Sequence, residues 1–167
     1  MNPWGGLKAL PREIWILFVS TLINRMGTMV LPFLAIYVTE HLHFSASRAG
    51  LILAIYGIGA MLTAPLSGHL CDRYGSNNVM KTSLFSSAVA LLCFPFATTF
   101  AHVIAATLFL AFTTETFRPA CLAYASVVVP PDQRKAAFAV IRLSINLGMS
   151  MGPAIGGFRY RSPGFRF

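Results

Sequence analysis

Charge is scarce in this chain. Of 167 residues, 5 are Asp or Glu and 13 are Lys or Arg, so charged side chains make up 11% of the sequence. A soluble domain carries about 25%. So few charges cannot clothe a water-facing surface, and lipid is expected to be the outer solvent for much of it. Cysteine is sparse as well. Cys71, Cys93 and Cys121 are scattered, odd in number and without CxxC spacing, so neither a disulfide framework nor a zinc site is indicated. The sequence also lacks a nucleophile–base–orienter set, a phosphate-binding loop and an ATP-binding domain, and therefore indicates no enzyme, no cofactor and no metal. Its net charge of +8 would point to nucleic acid in a soluble protein. Here the basic residues form no patch with stacking aromatics, and nucleic acid is not an expected partner.

What the chain does have is apolar length. Hydrophobic residues are 56% of the sequence, with a mean hydropathy of +0.66. A spanning helix needs about 20 mostly apolar residues. Five stretches qualify: 14–38, 49–70, 79–100, 103–129 and 136–158. Helix rather than strand follows from their length, and from the need to satisfy every backbone group within the segment. The first stretch follows Lys8 and Arg12 like a secretory signal, but it is longer than a signal's apolar core of about 7–15 residues and is read as an uncleaved helix. Pro11 suits the first helical turn. Pro32, Pro65, Pro95, Pro119 and Pro153 fall within or near the spans, where a membrane bundle tolerates them. Turns are expected at 40–48, 71–78, 99–102 and 130–135, with Asp132 capping the last helix.

Lys8, Arg12, Arg73, Lys81, Arg134 and Lys135 flank one side of these spans, and across the first four spans only Arg48 flanks the other. The positive-inside rule then places the N-terminus, the turn containing Asp72 and the turn at 130–135 in the cytoplasm of a multi-pass protein of the inner or plasma membrane. Arg159, Arg161 and Arg166 break the pattern by falling outside. Residues 1–158 are thus expected to form a helical membrane domain and 159–167 an irregular tail, read as the aberrant end of a truncated or frame-shifted sequence, the alternative being a short, harmless extracytoplasmic tail.

Two motifs carry a family resemblance. Gly68-His-Leu-Cys-Asp72-Arg73-Tyr-Gly75 lies between the second and third spans. It resembles the loop Gly-x-Leu-x-Asp-Arg-x-Gly of major facilitator superfamily transporters, although Ser76, Asn77 and Asn78 stand where basic residues usually follow. In the fifth span, Gly148-Met-Ser-Met-Gly152-Pro153-Ala-Ile-Gly156-Gly157 resembles the glycine-rich stretch of the drug:proton antiporter branch. Glycines one turn apart let helix backbones approach closely where lipid supplies no hydrophobic drive. Generic helix packing accounts for such a stripe equally well. The resemblance covers 14–157 and implies an all-α bundle of about five transmembrane helices, the partial N-terminal half of a twelve-helix carrier. In that family each half is built from inverted three-helix repeats, and substrate binds between the halves. It also implies that Asp72 meets a helix terminus of the opposite half, and that the glycine helix borders that half and bends during transport.

Arg25 and Glu115 fall mid-span, where a charge costs about 2.5–3.5 kcal/mol even on the lenient insertion scale. Such groups face a partner or a water-filled cavity. The resemblance makes an Arg25–Glu115 pair reasonable and places Arg118 one turn from Glu115. One reading makes Glu115 a proton carrier with Arg25 and Arg118 as counter-charges; the other is a permanent, inert ion pair. Asn24, Asn146, Met26, Met29, Phe33, Tyr37 and Tyr56 are read as packing or cavity lining, Arg142 as snorkelling, and His41, His43 and His102 as solvated loop residues. The expected activity is proton-coupled export of small organic molecules by alternating access, with the lipid bilayer, protons and a small-molecule substrate as partners. The alternatives are a non-transporting fragment of such a carrier and a membrane scaffold. No oligomeric state is assigned.

Overall fold

Backbone groups in lipid must be satisfied within their own segment, and the described residues meet that demand with helices. The computed structural model describes residues 10–28 and 30–160, with side chains through Met151. Among the described residues there is no strand. The helices are α1 (Arg12–Thr28), α2 (Val30–Glu40), α3 (Ala46–Tyr74), α4 (Ser76–Cys93), a 3₁₀ turn at Phe94–Phe96, α5 (Phe100–Val128) and α6 (Arg134–Tyr160). Among the described residues, four stretches are long and apolar enough to cross a bilayer: Arg12–Glu40, Ala46–Tyr74, Ser76–Phe96 and Phe100–Val128. The fold is an all-α bundle of the membrane type.

The interior mixes apolar side chains with small polar ones. Twelve polar residues, among them Thr63, Ser67, Ser83, Thr107, Thr114 and Ser144, are buried, while Leu92, Phe96 and Val127 are 74%, 80% and 82% exposed. The hydroxyls explain how polar atoms can sit inside. Thr63 Oγ1 donates to the Gly59 carbonyl at 2.7 Å and Thr116 Oγ1 to Phe112 at 2.6 Å, each closing a bond to the turn behind it. Small hydroxyl residues thus sit between helices alongside buried apolar side chains such as Phe117 and Leu17, while other large apolar side chains face outward.

Several helix ends differ from the sequence expectation, each for a physical reason. The first span is helical over Arg12–Thr28 and Val30–Glu40, beyond both of its expected ends, with Pro32 near the start of α2, where it lacks a backbone donor. The third span ends its α-helix at Cys93 because Pro95 lies in the following 3₁₀ turn. The next helix begins at Phe100, earlier than expected, after Thr99, whose Oγ1 accepts the His102 N–H at 3.3 Å. The last helix begins at Arg134, which puts Gln133 rather than Asp132 next to its first residue. It continues through Arg159 and Tyr160, the first two residues of the stretch expected to be irregular, since neither breaks a helix. The rest of that stretch, with Lys8 and Met29, lies outside the described residues.

The chain divides into two units, Met1–Val30 with Ala125–Phe167, and Leu31–Tyr124. In the first, α6 packs along α1. Ala137, Val140, Ile141, Ser144 and Gly148 make the buried stripe of α6, and Ile14, Leu17, Thr21 and Asn24 that of α1. Ser144 Oγ donates to the Phe18 carbonyl at 2.5 Å, tying the two helices together. In the second unit α3, α4 and α5 pack side by side. At one end a core of Leu34, Val38, Ala49, Ile52, Phe94, Ala97 and Val103 closes the bundle. Arg48 covers it, with its guanidinium carbon 5.7 Å from the Phe44 ring centre and 5.3 Å from that of Phe100. That stacking gives the Arg48 cation aromatic partners.

Candidate functional site

The Asp72 segment is not the open turn that its sequence suggests. Gly68 through Tyr74 continue α3, and the whole connection to α4 is Gly75. Nothing from Cys71 to Tyr74 opposes helix, and the chain turns where glycine permits a left-handed backbone: Gly75 has φ +80° and ψ 138°. Its N–H donates to the Cys71 carbonyl at 2.9 Å and its own carbonyl accepts from Val79 at 3.1 Å, so one residue ends one helix and starts the next. Gly68 and Asp72 are exposed one turn apart on α3, and a β-carbon at Gly68 would meet nothing within 4 Å. Arg73 lies 5.4 Å from the ring of its neighbour Tyr74. Gly75→Ala should lower stability by about 1–3 kcal/mol, since any β-carbon strains that backbone; Gly68→Ala should change it by less than about 1 kcal/mol and in the stabilising direction if at all. Thermal unfolding of both variants in one detergent is the check, and equal losses would contradict the assignment.

In the first unit the structure joins two features that the sequence leaves separate. Gly148 of the glycine motif packs against α1 beside Arg25: a β-carbon built at Gly148 would lie 2.7 Å from Arg25 Cβ and 3.1 Å from the Leu22 carbonyl oxygen. Gly148 is therefore taken up by packing inside its own unit. Gly152, Pro153, Gly156 and Gly157 fall on the helical backbone of α6, and their surroundings lie outside the described residues. Arg134 has a structural task as well. Its Nη2 donates to the Ser126 carbonyl at 2.9 Å and its Nε to Val129 at 3.4 Å, so it caps the C-terminal end of α5 with positive charge. Arg134→Ala should lower stability by about 0.5–2 kcal/mol, with Arg134→Lys intermediate; a thermal melt of the three proteins tests this.

The second unit holds Glu115. Tyr56 on α3 donates its hydroxyl to Glu115 Oε1 on α5 at 3.0 Å and lies 3.1 Å from Thr114 Oγ1. Tyr56 and Thr114 are buried at 8% and 2% exposure. The helices come this close because of Gly59, one turn from Tyr56, where a β-carbon would approach Ala111 Cβ to 3.0 Å. From the other side Ser83 of α4 donates to the Thr113 carbonyl at 2.5 Å. One turn of α5, Thr113 to Thr116, thus receives hydrogen bonds from both flanking helices. Arg118 lies on the same helix and is exposed. Arg25 belongs to the first unit and Glu115 to the second. The sequence reading took Tyr56 as packing or cavity lining; its hydroxyl partners sit 58 and 59 residues away and leave no local signal. A separate cavity of about 380 Å³ opens between α3, α4 and α5, with Tyr74, Asn78, Ser83, Phe112, Thr113 and Thr116 in its lining.

Against known proteins, the family model of the Major Facilitator Superfamily matches residues 17–167. The chain belongs to the Major Facilitator Superfamily. It is a multi-pass membrane protein of a transporter family, and the family match extends across the 159–167 stretch that the sequence reading had set apart. Among superfamily relatives it is similar to an uncharacterized MFS-type transporter, YqjV, of Bacillus subtilis (strain 168), at 30% identity over 93% of this chain and 38% of that protein. It is 30% identical to a Na(+), Li(+), K(+)/H(+) antiporter of Planococcus maritimus, over 83% of this chain and 34% of that one. It is 24% identical to the quinolone resistance protein NorA of Staphylococcus aureus (strain MRSA252), over 88% of this chain and 38% of that one. The chain thus spans between 34% and 38% of the length of these relatives.

Proposed function

We propose that this chain supplies one wall of a proton-coupled secondary transporter that exports small organic molecules by alternating access. The observation that carries the reading is Glu115, a carboxylate midway along a spanning helix, held by the Tyr56 hydroxyl at 3.0 Å. An ionisable group kept at that depth is a functional group before it is a structural one. Glu115 takes up and releases the coupling proton, and Arg25 and Arg118 act as its counter-charges at different stages of the cycle. The names of two relatives, one an H(+) antiporter and one a quinolone resistance protein, agree with proton coupling and with organic substrates respectively. The exposed Gly68–Asp72 face fits a contact with a second helical half, because the space over Gly68 is open and a carboxylate favours a helix N-terminus. Its bounds are those of the membrane domain, 1–158, with the N-terminus, Gly75 and the α5–α6 connection in the cytoplasm.

Reconstitution into proteoliposomes tests this. With an imposed pH gradient, a fluorescent organic cation or a quinolone should move against the proton flow, and collapsing the gradient with an ionophore should stop it. Movement driven by Na(+) or K(+) in place of an organic substrate would favour cation/proton exchange. A chain that inserts yet moves neither, while a longer product of the same gene does, would favour the fragment reading, and inertness of both would favour a scaffold.

A further inference from the structure

A tyrosine hydroxyl has one proton to give, yet Tyr56 Oη lies within bonding distance of two oxygens, Glu115 Oε1 at 3.0 Å and Thr114 Oγ1 at 3.1 Å. Either hydroxyl could donate in the Tyr56–Thr114 bond, but Thr114 Oγ1 lies closer to the Leu110 carbonyl, at 2.6 Å, so its proton goes there in preference and its oxygen can accept from Tyr56. The arrangement is therefore a directed row of oxygens running from Glu115 through Tyr56 and Thr114 to a backbone carbonyl that can only accept. We propose that Tyr56 is the positioning residue of the proton site, switching its single hydroxyl proton between Glu115 and Thr114 as Glu115 loses and gains a proton. The proposal rests on Glu115 being the proton carrier.

The two states balance. With Glu115 ionised, Tyr56 donates to Oε1 and Thr114 donates to Leu110. When Glu115 takes up a proton, its new O–H donates to Tyr56 Oη, the tyrosine proton rotates onto Thr114 Oγ1, and Thr114 keeps its bond to Leu110. No heavy atom has to move, no covalent bond other than the carboxyl O–H forms or breaks, and neither state leaves a donor without an acceptor. That matters in a buried place, where an unsatisfied polar group is expensive and would trap the site in one protonation state. The packing supports the geometry: Gly59 holds α3 near Ala111, one turn from Thr114, and Ser83 of α4 binds the adjacent Thr113 carbonyl. The titratable and charged groups around Glu115 in this scheme are Tyr56 from α3 and Arg118 on α5 itself, with Arg25 of α1 as the proposed counter-charge.

The test is infrared difference spectroscopy of the full-length protein in lipid, following the carbonyl stretch of the protonated carboxyl, assigned by its disappearance in Glu115→Gln. Tyr56→Phe should move that band to higher frequency, as the carboxyl loses its acceptor, and slow proton-coupled turnover about tenfold or more with KM held. Thr114→Val should displace the band in the same direction and Thr114→Ser should restore it, a rescue that a purely steric role for Thr114 would not give. An unmoved band and unchanged turnover in Tyr56→Phe would overturn the proposal, and so would equal behaviour of the valine and serine variants. If Glu115→Gln keeps full coupling, the transport role fails by itself and takes the proposal with it, even where the band shift shows the hydrogen bond to be real.

Discussion

Replacing Gly148 with alanine is expected to destabilise the α1–α6 pair by about 1–3 kcal/mol, and replacing it with valine by more. The reason is the absence of anywhere for a β-carbon to go. It would sit 2.7 Å from Arg25 Cβ and 3.1 Å from the Leu22 carbonyl oxygen. Neither neighbour is the far end of a flexible side chain, so the helices themselves must separate. Separation also disturbs the bond one turn away from Ser144 to the Phe18 carbonyl, and with it the close contact beside Arg25. Lipid offers little to restore the contact, because association in a bilayer depends on close packing and interhelical bonds rather than on water exclusion. Thermal unfolding in detergent, with Gly50→Ala as the control, measures the effect. Gly50 lies mid-helix on α3 with nothing within 4 Å of its β-carbon position, and its alanine variant should be neutral or slightly stabilised. If Gly148→Ala melted with the wild type, the close packing of α1 and α6 would not exist in solution.

That pair of glycines shows what a sequence can and cannot convey about such a fold. The apolar runs are long because the bilayer is thick, so the first four of the five expected spans coincide with helices long and apolar enough to cross it, while the fifth falls on α6, which is not among those four. The glycine spacing of Gly148 and Gly152 announced a close helix approach, but not which helix approaches. The partner, α1 at Leu22 and Arg25, is more than a hundred residues away. Helix ends were read less well where one residue decides. The run Cys71–Tyr74 contains a charged pair and looks like a turn, yet those residues have adequate helix propensity, and a single positive φ at Gly75 suffices to reverse the chain. Pro95 ends α4, whereas Pro65 and Pro119 lie inside helices that continue past them. The presence of a proline does not by itself separate these cases. The candidate site was legible only as isolated charges. Glu115 was conspicuous because carboxylates are rare in spans, but Tyr56 looks like any aromatic on an apolar helix. Gly59, the residue that brings the two together, lies in a helix with several other glycines.

Glu115→Gln is expected to abolish proton-coupled transport while leaving the fold in place. Glutamine keeps the shape of the side chain and one carbonyl-type acceptor, so Tyr56 can still donate at the position where it now donates at 3.0 Å. It removes the negative charge and the ability to carry a proton, and puts an amide donor in place of one carboxylate oxygen. Stability should change little or rise, because a charge that costs about 2.5–3.5 kcal/mol to hold in the bilayer is no longer there. The separation of the two effects is what makes the variant informative. If Glu115 were one half of a permanent structural ion pair, neutralising it would leave its cationic partner buried and alone, and the melting temperature would fall steeply, as when one member of a buried pair is removed. If it carries the coupling proton, the protein melts as the wild type does or higher, exchange between substrate and pH gradient disappears, and substrate-for-substrate exchange across the membrane survives. Wild-type transport under a pH gradient together with a wild-type melt would show that neither role belongs to Glu115. Measuring both quantities on the same preparation therefore decides between the coupling carboxylate and the structural pair, and the counter-charge roles of Arg25 and Arg118 stand or fall with that result.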